Sequence, residues 1–425
     1  MRMLLSTFVK FKQPALSEIL LKGILIPFLA MTMFSSSLEA QVKIGLEVLL
    51  EDQLDLIKGK KLGIIANHTS LDAAGKHIVD LLRPHTRVTA ILGPEHGFRG
   101  NVEDAAAIRD GSYHGIPIYS LYGDFLSPTP KMLTDVDVLI YDIQDVGVKF
   151  YTYMSNLFLA MAAAKREGIP VIVLDRPNPI NADIIAGAIT NPAFSSFVGV
   201  IPLPIRYGMT VGELARLFNR ESYGGFFLDI DLTVIKMAGY KRSMWFDETG
   251  FPWRGTSPNM QTLETAVIYP GMCLLEGTNL SEGRGTDSPF LAVGAPYLDG
   301  QKWLAALPPE VLAGLEVKVT EFRPQAIPGV VSKPKYLGQG CQGLAFRVVD
   351  RDKLDPIVLT VALLCGAQKL YPQQFKMTTY LDKLWGNEEL RAMVREGMDY
   401  LTILKTCQPG IERFKQVREK YLFYE

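Results

Sequence analysis

The sequence predicts an α/β protein. A Rossmann-like N-terminal domain is built on a parallel sheet, and a second, smaller α+β domain follows it. Three observations carry this. From residue 61 onward, apolar runs alternate with helix-like stretches. The runs are continuous, not alternating polar and apolar, as in parallel strands covered by helices on both faces. Near residue 265 the texture changes, and Gly and Pro stay dense as far as Pro296.

Taken in order, strands are expected over residues 61–67, 87–92, 116–121, 136–142 and 170–175, with helices over residues 73–82 and 154–167 between them. Thr210-Val211-Gly212-Glu213 has the spacing of a capping box and opens a helix reaching about Glu221. A last strand of this half is read at residues 227–235. Beyond residue 296, strands at 316–322 and 344–349 mix with helices at 356–370, 388–396 and 411–421.

The N-terminus differs in kind. Arg2, Lys10, Lys12 and Lys22 precede an apolar run at residues 23–34, then Ser35-Ser36-Ser37 and Leu38-Glu39-Ala40. This reads as a cleavable secretory signal over residues 1–40, with an apolar core short for spanning a bilayer. The expected organisation is thus a leader (1–40), a Rossmann-like catalytic domain (41–264) and a smaller domain completing the cleft (265–425). A periplasmic or secreted location without stable membrane insertion follows. The chain has 425 residues, a formal net charge of −1 and no basic tract, so no nucleic-acid partner is expected. Cys273, Cys341, Cys365 and Cys407 show no CxxC spacing, and a core this large folds without staples, so free thiols are expected.

In open parallel sheets, ligands bind beyond the carboxyl ends of the strands. Polar groups collect there four times: Asn67-His68-Thr69, the loop 93–100, Asp142-Ile143-Gln144-Asp145, and Asp175-Arg176-Pro177-Asn178. No GxGxxG, GxxxxGK[ST] or GxSxG motif occurs, which argues against nucleotide and serine-nucleophile chemistry. All five histidines lie between residues 68 and 114 without metal-ligand spacing, so no metal and no cofactor are expected. Carboxylate chemistry remains. Glu95 sits in a turn between Pro94 and Gly97, where burial beside Phe98 would raise its pKa as a general acid requires. A structural pairing with Arg99 is the alternative. Asp142 and Asp145 are second catalytic candidates. The stretch from Glu276 to Thr286 brings two acids, Asn279 and several hydroxyls near Arg284, which can clamp a carboxylate. Ser257-Pro258-Asn259, with Trp245 and Trp253, could add a sugar-stacking wall or simply pack the core.

With these residues in hand, the sequence resembles the exo-β-N-acetylmuramidase (NamZ) family over essentially the whole chain after the leader. The resemblance rests on Gly93-Pro94-Glu95-His96-Gly97-Phe98-Arg99-Gly100, Asp142-Ile143-Gln144-Asp145-Val146-Gly147 with Phe150-Tyr151-Thr152-Tyr153, Asp175-Arg176-Pro177-Asn178-Pro179, Ser257-Pro258-Asn259, and Glu276-Gly277-Thr278-Asn279 with Ser281-Glu282-Gly283-Arg284-Gly285-Thr286. Lys149 stands where Arg is expected in many relatives. The resemblance implies a site in the cleft between the two domains and release of terminal N-acetylmuramic acid from the non-reducing end of peptidoglycan fragments. The family's glutamate maps onto Glu95. Substrate-binding candidates are Asn67, His96, Arg99, Tyr151, Arg176, Asn178, Asn259, Glu276, Asn279, Glu282 and Arg284. Arg284, Arg99 or Arg176 would meet the lactyl carboxylate. The second catalytic group stays open among Asp142, Asp145, Glu282 and the substrate's own acetamido group. Two other readings compete: a non-catalytic binder of wall fragments, and a metal-dependent hydrolase using His68 and His96.

Overall fold

The apolar runs become strands of one sheet in the computed structural model, which describes residues 42–100 and 111–425. The predicted leader, residues 1–40, lies outside the described residues. In chain order the first half contains α1 (Gly45–Asp52), β1 (Lys61–Ala66), α2 (Ile78–Leu82), β2 (Arg87–Gly93), β3 (Gly111–Tyr113), β4 (Ile116–Ser120), α3 (Pro130–Leu133), β5 (Val138–Asp142), α4 (Tyr153–Glu167), β6 (Val171–Leu174), α5 (Val211–Arg220) and β7 (Leu232–Ile235). The sheet order is β3-β4-β2-β1-β5-β6-β7, and only the β3–β4 pair is antiparallel. From β4 to β7 this is the doubly wound order, with its switch point between β1 and β5. β5 and β6 are buried at every residue because helices cover both faces, which is why they read as unbroken apolar runs.

The second half contains α6 (Leu263–Met272), β8 (Ala292–Ala295), α7 (Gly300–Ala305), β9 (Leu315–Phe322), β10 (Cys341–Val348), α8 (Pro356–Leu370), α9 (Thr379–Trp385), α10 (Glu389–Arg395), α11 (Tyr400–Lys405) and α12 (Gln408–Arg418). Its three strands form a separate antiparallel sheet, β8-β10-β9. The two halves share one apolar core that runs from Ile65 to Tyr421. The chain end returns to the first sheet, where the Tyr424 hydroxyl donates to Asp175 (2.6 Å) and the Phe423 amide to Glu213 (2.9 Å).

The capping box at α5 forms: Thr210 accepts from the Glu213 amide and Glu213 accepts from the Thr210 amide (2.9 Å). One expectation needs correction. The helix read at residues 73–82 is confined to Ile78–Leu82, because Asp72 accepts from the Lys76 amide (2.7 Å) in a turn and Leu71 bridges His77. The Gly/Pro-dense stretch, to which the sequence assigns no element, opens as a helix. Thr262 caps α6 by accepting from the Thr265 amide (3.1 Å), and Pro270 falls in its last turn, after which the chain tightens into a 3-10 turn over Cys273–Gly277. Gly271 lets α6 meet the start of α8: a Cβ there would lie 1.7 Å from the Pro356 carbonyl oxygen. Gly271→Ala is therefore expected to destabilise the protein by about 1–3 kcal/mol through overpacking. Denaturant titration checks this, and an unmoved midpoint would show that the helix crossing yields.

Candidate active site

Loops from both halves enclose a cavity of about 550 Å³. The first half contributes the loop after β2. There the Gly97 amide donates to the Pro94 carbonyl (2.9 Å), and His96 is held at φ 68°, a conformation costly for a side chain with a Cβ. This turn presents Glu95 and His96 to the cavity. Thr152 stands at the N-cap position of α4 but does not cap it. Its hydroxyl donates to Glu95 instead (2.6 Å), which sets the carboxyl group at the positive end of a fifteen-residue helix. The Tyr122 phenol stands beside Glu95 as well. Burial first, then the nearby Glu95, push that phenol up to about 12.

The second half brings the ionic groups. Arg284 pairs with Glu276 (2.8 Å) and lies 3.6 Å from Glu282, while Lys335 pairs with Glu282 (2.9 Å). Lys335 is also tied to the carbonyls of Leu275 (2.8 Å) and Leu280 (2.9 Å). Glu95, Glu276 and Glu282 thus outnumber the two inner cations. Burial, with Glu282 adding, pushes the Glu276 carboxyl up to about 8, although Arg284 is in contact with it. The direction follows from that imbalance, since three carboxylates facing two cations leave one carboxyl better off protonated. Burial lowers Arg284 to about 10, and its guanidinium lies 5.1 Å over the Phe290 ring.

Of the residues singled out from sequence, Glu95, His96, Tyr151, Glu276, Glu282 and Arg284 line the cavity. Tyr151 is fixed there by a hydroxyl–hydroxyl bond to Thr256 (2.7 Å). Ser257 of the Ser257-Pro258-Asn259 motif lines it too, while the remaining candidates lie off its lining. Asp142 is fully buried and gripped by Arg176 through two bonds (2.5 and 2.9 Å), and Arg176 also donates to the Leu71 carbonyl (3.1 Å). Asn67 accepts from the amide (2.9 Å) and hydroxyl (2.6 Å) of Thr69. Asp145 accepts from the Gly147 amide (2.8 Å) and the Tyr207 hydroxyl, and burial pushes it up to about 6. Asn178 holds the Met209 carbonyl (2.9 Å). These groups fill the β1/β5 crevice with the chain's own polar contacts and brace its loops. Asn259 donates to the Val330 carbonyl (3.2 Å), and Asn279 ties down Gln374 (2.8 Å) and Lys376 (2.8 Å). Both support cavity loops from behind.

Arg99 is exposed and acts on Tyr113, and Phe98 packs on His77 (4.8 Å) and Tyr113 (5.3 Å). Neither lines the cavity, so the expected Phe98 wall for Glu95 is replaced by Tyr122 and Thr152. Trp245 donates to Asp352 (3.0 Å) and Trp253 packs on Phe246 (5.1 Å). The aromatic lining comes instead from residues such as Tyr122 and Phe197, whose rings lie 6.0 Å apart. His68 meets the Gly255 carbonyl through Nε2 (2.6 Å), and burial lowers its pKa. Lys149 is buried and donates to the carbonyls of Ala188 (2.9 Å) and Trp385 (2.7 Å), with burial lowering it to about 7. All four cysteines are free.

Sequence reasoning missed Tyr122, Phe197, Tyr269, Lys333, Lys335 and Tyr380. Thr152 was quoted within a motif but given no role.

Two family models divide the chain where its texture changes. The N-terminal model of the exo-beta-N-acetylmuramidase NamZ matches residues 62–264, and the C-terminal model matches residues 267–424. The peptidoglycan beta-N-acetylmuramidase NamZ of Bacillus subtilis (strain 168) is 41% identical over 392 residues, covering 90% of this chain and 92% of its own. Crystal structures of two DUF1343 family proteins from Bacteroides fragilis align with TM-scores of 0.79 and 0.73, at 31% and 30% identity. Each alignment covers 91% of this chain and 99% of the other. The chain belongs to the NamZ exo-β-N-acetylmuramidase family.

Proposed function

We propose that this chain is a glycoside hydrolase that releases terminal N-acetylmuramic acid from the non-reducing end of peptidoglycan fragments. The observation that carries the reading is the cavity itself: Glu95 from one half and the Glu276–Arg284–Glu282 cluster from the other line one space. Kinship with a Bacillus subtilis peptidoglycan β-N-acetylmuramidase supports the substrate class. Glycoside cleavage needs a proton for the leaving oxygen and an acceptor for the positive charge that grows on the sugar ring. Glu276, pushed up to about 8, keeps a proton to give through neutrality. Glu95, held by the Thr152 hydroxyl, is the carboxyl group assigned to the anomeric side. The aromatic lining supplies apolar faces for the sugar.

Glu276 is raised from 4.5 to about 8, so its protonated form persists up to that pH and is lost above it. The alkaline limb of kcat/KM on a chromogenic β-N-acetylmuraminide is expected near pH 8, with Glu276→Gln strongly impaired. A rate flat well beyond that pH would remove Glu276 from the proton's path. Defined muropeptides test the exo mode by release of single N-acetylmuramic acid units. Binding with no product on long incubation would instead support a non-catalytic wall-fragment binder.

The secretory reading of residues 1–40 fits this substrate, and we place the protein in a periplasm or outside the cell. Among the described residues no helix is long and apolar enough to cross a membrane. Release of the leader, read by N-terminal sequencing of the exported protein, tests that placement.

A further inference from the structure

Of the arginines that the sequence offers for an anionic substrate, Arg176 and Arg284 are already paired and Arg99 lies off the cavity lining. Arg99 is exposed on the Tyr113 side, Arg176 is locked on Asp142, and Arg284 lies between Glu276 and Glu282. Lys335 is held by Glu282 and two carbonyls. Among the described residues, one further cation lines the cavity. Lys333 is exposed and makes no ion pair among the described residues.

We propose that Lys333, at the mouth of the cavity, recognises the carboxylate of an anionic sugar substituent such as the lactyl group. The inference rests on the glycosidase reading above and adds to it the residue that selects the acid.

The backbone around Lys333 is fastened on both sides. Val331 and Pro334 are buried, Asn259 holds the Val330 carbonyl, and Lys335 is tied down two residues later. Pro334 also closes on Gly285, where an added Cβ would lie 2.8 Å from its Cγ and 2.4 Å from the Gln325 carbonyl oxygen. Gly285 stands at φ 81°, so glycine serves both the turn and the close approach. A fixed backbone with a loose ammonium gives a positioned point charge on a flexible stem.

Charge then orients the sugar. With Glu276 protonated, Glu95 and Glu282 balance Arg284 and Lys335, so the inner cavity offers an anion no net attraction. An anionic substituent is then favoured beside the exposed ammonium. The substituent therefore points to the mouth, and the scissile side of the ring turns toward Glu95 and Glu276.

Calorimetry of the full-length protein with N-acetylmuramic acid and with its lactyl methyl ester tests this. Turnover of the matching 4-nitrophenyl glycosides is measured in parallel. In the wild type the acid is expected to bind more tightly than the ester. Lys333→Gln is expected to cut the acid-to-ester ratio by about 10- to 100-fold, through affinity and KM, the range for losing one charged hydrogen bond. Lys333→Arg restores most of the ratio. An unchanged ratio in Lys333→Gln, or equal losses on acid and ester, overturns the assignment. A wild type that binds the acid selectively but hydrolyses neither glycoside removes the glycosidase reading and leaves the role of Lys333 standing.

Discussion

Glu95→Gln is expected to lower kcat on a β-N-acetylmuraminide by about a hundred- to ten-thousand-fold, the usual contribution of a positioned acid or base. The substitution is nearly isosteric. An amide keeps an oxygen that can accept from Thr152, so the loop has no reason to collapse. What the amide lacks is a proton to exchange and a negative charge to set against the ring's positive charge. Either role for Glu95 therefore fails in the same variant. Thermal unfolding should match the wild type, since Glu95 faces the cavity and not the core. The companion Glu276→Gln separates the two roles. If Glu276 holds the proton, a substrate with a good leaving group needs it less, and the defect shrinks on a dinitrophenyl glycoside. The Glu95 defect should persist there, because the ring still develops its charge. Full activity in Glu95→Gln would dismantle this site.

The sheet was legible because its physics is local. β1, β2, β5 and β6 are apolar over most of their length since helices cover both faces, and a run with no polar alternation fits little besides a strand buried on two sides. β3 is only Gly111-Ser112-Tyr113, and β8 is Ala292-Val293-Gly294-Ala295, without the bulky apolar side chains that mark β6 at the same length. α6 was hidden because Pro270 and Gly271 look like loop residues until α8 is seen lying against them. The site was legible only in part. Glu95 and the Glu276–Arg284 loop stood out through chemistry crowded into short motifs. Tyr122, Lys333 and Tyr380 are single residues on separate loops, and only folding brings them together. The clearest misdirection came from the polar strand ends. Asn67, Asp142, Asp145 and Asn178 resembled a reaction centre, yet a buried crevice full of backbone termini needs partners of its own. Polar residues at the carboxyl edge serve that need here, and the cavity lies off the β1/β5 switch point.

That distinction between bracing and chemistry has a sharp test in Arg176→Ala, expected to destabilise the protein by about 3–5 kcal/mol. Asp142 has no exposed surface, and Arg176 supplies both bonds to its carboxylate. Deleting the guanidinium leaves a buried charge without a partner and frees the Leu71 carbonyl as well. Removing both charges at once should behave differently. Arg176→Met with Asp142→Leu keeps volume and strands no ion, so much of the lost stability should return, as buried pairs often permit. Activity measured well below the unfolding transition separates bracing from substrate contact. Neither residue lines the cavity, so folded Arg176→Ala should retain wild-type KM for the muraminide. A raised KM with unfolding unaltered would instead put Arg176 on the substrate and make the crevice a binding surface. A fall in stability with KM unchanged identifies the pair as the brace that closes the switch point and leaves recognition of the acid to the cavity mouth.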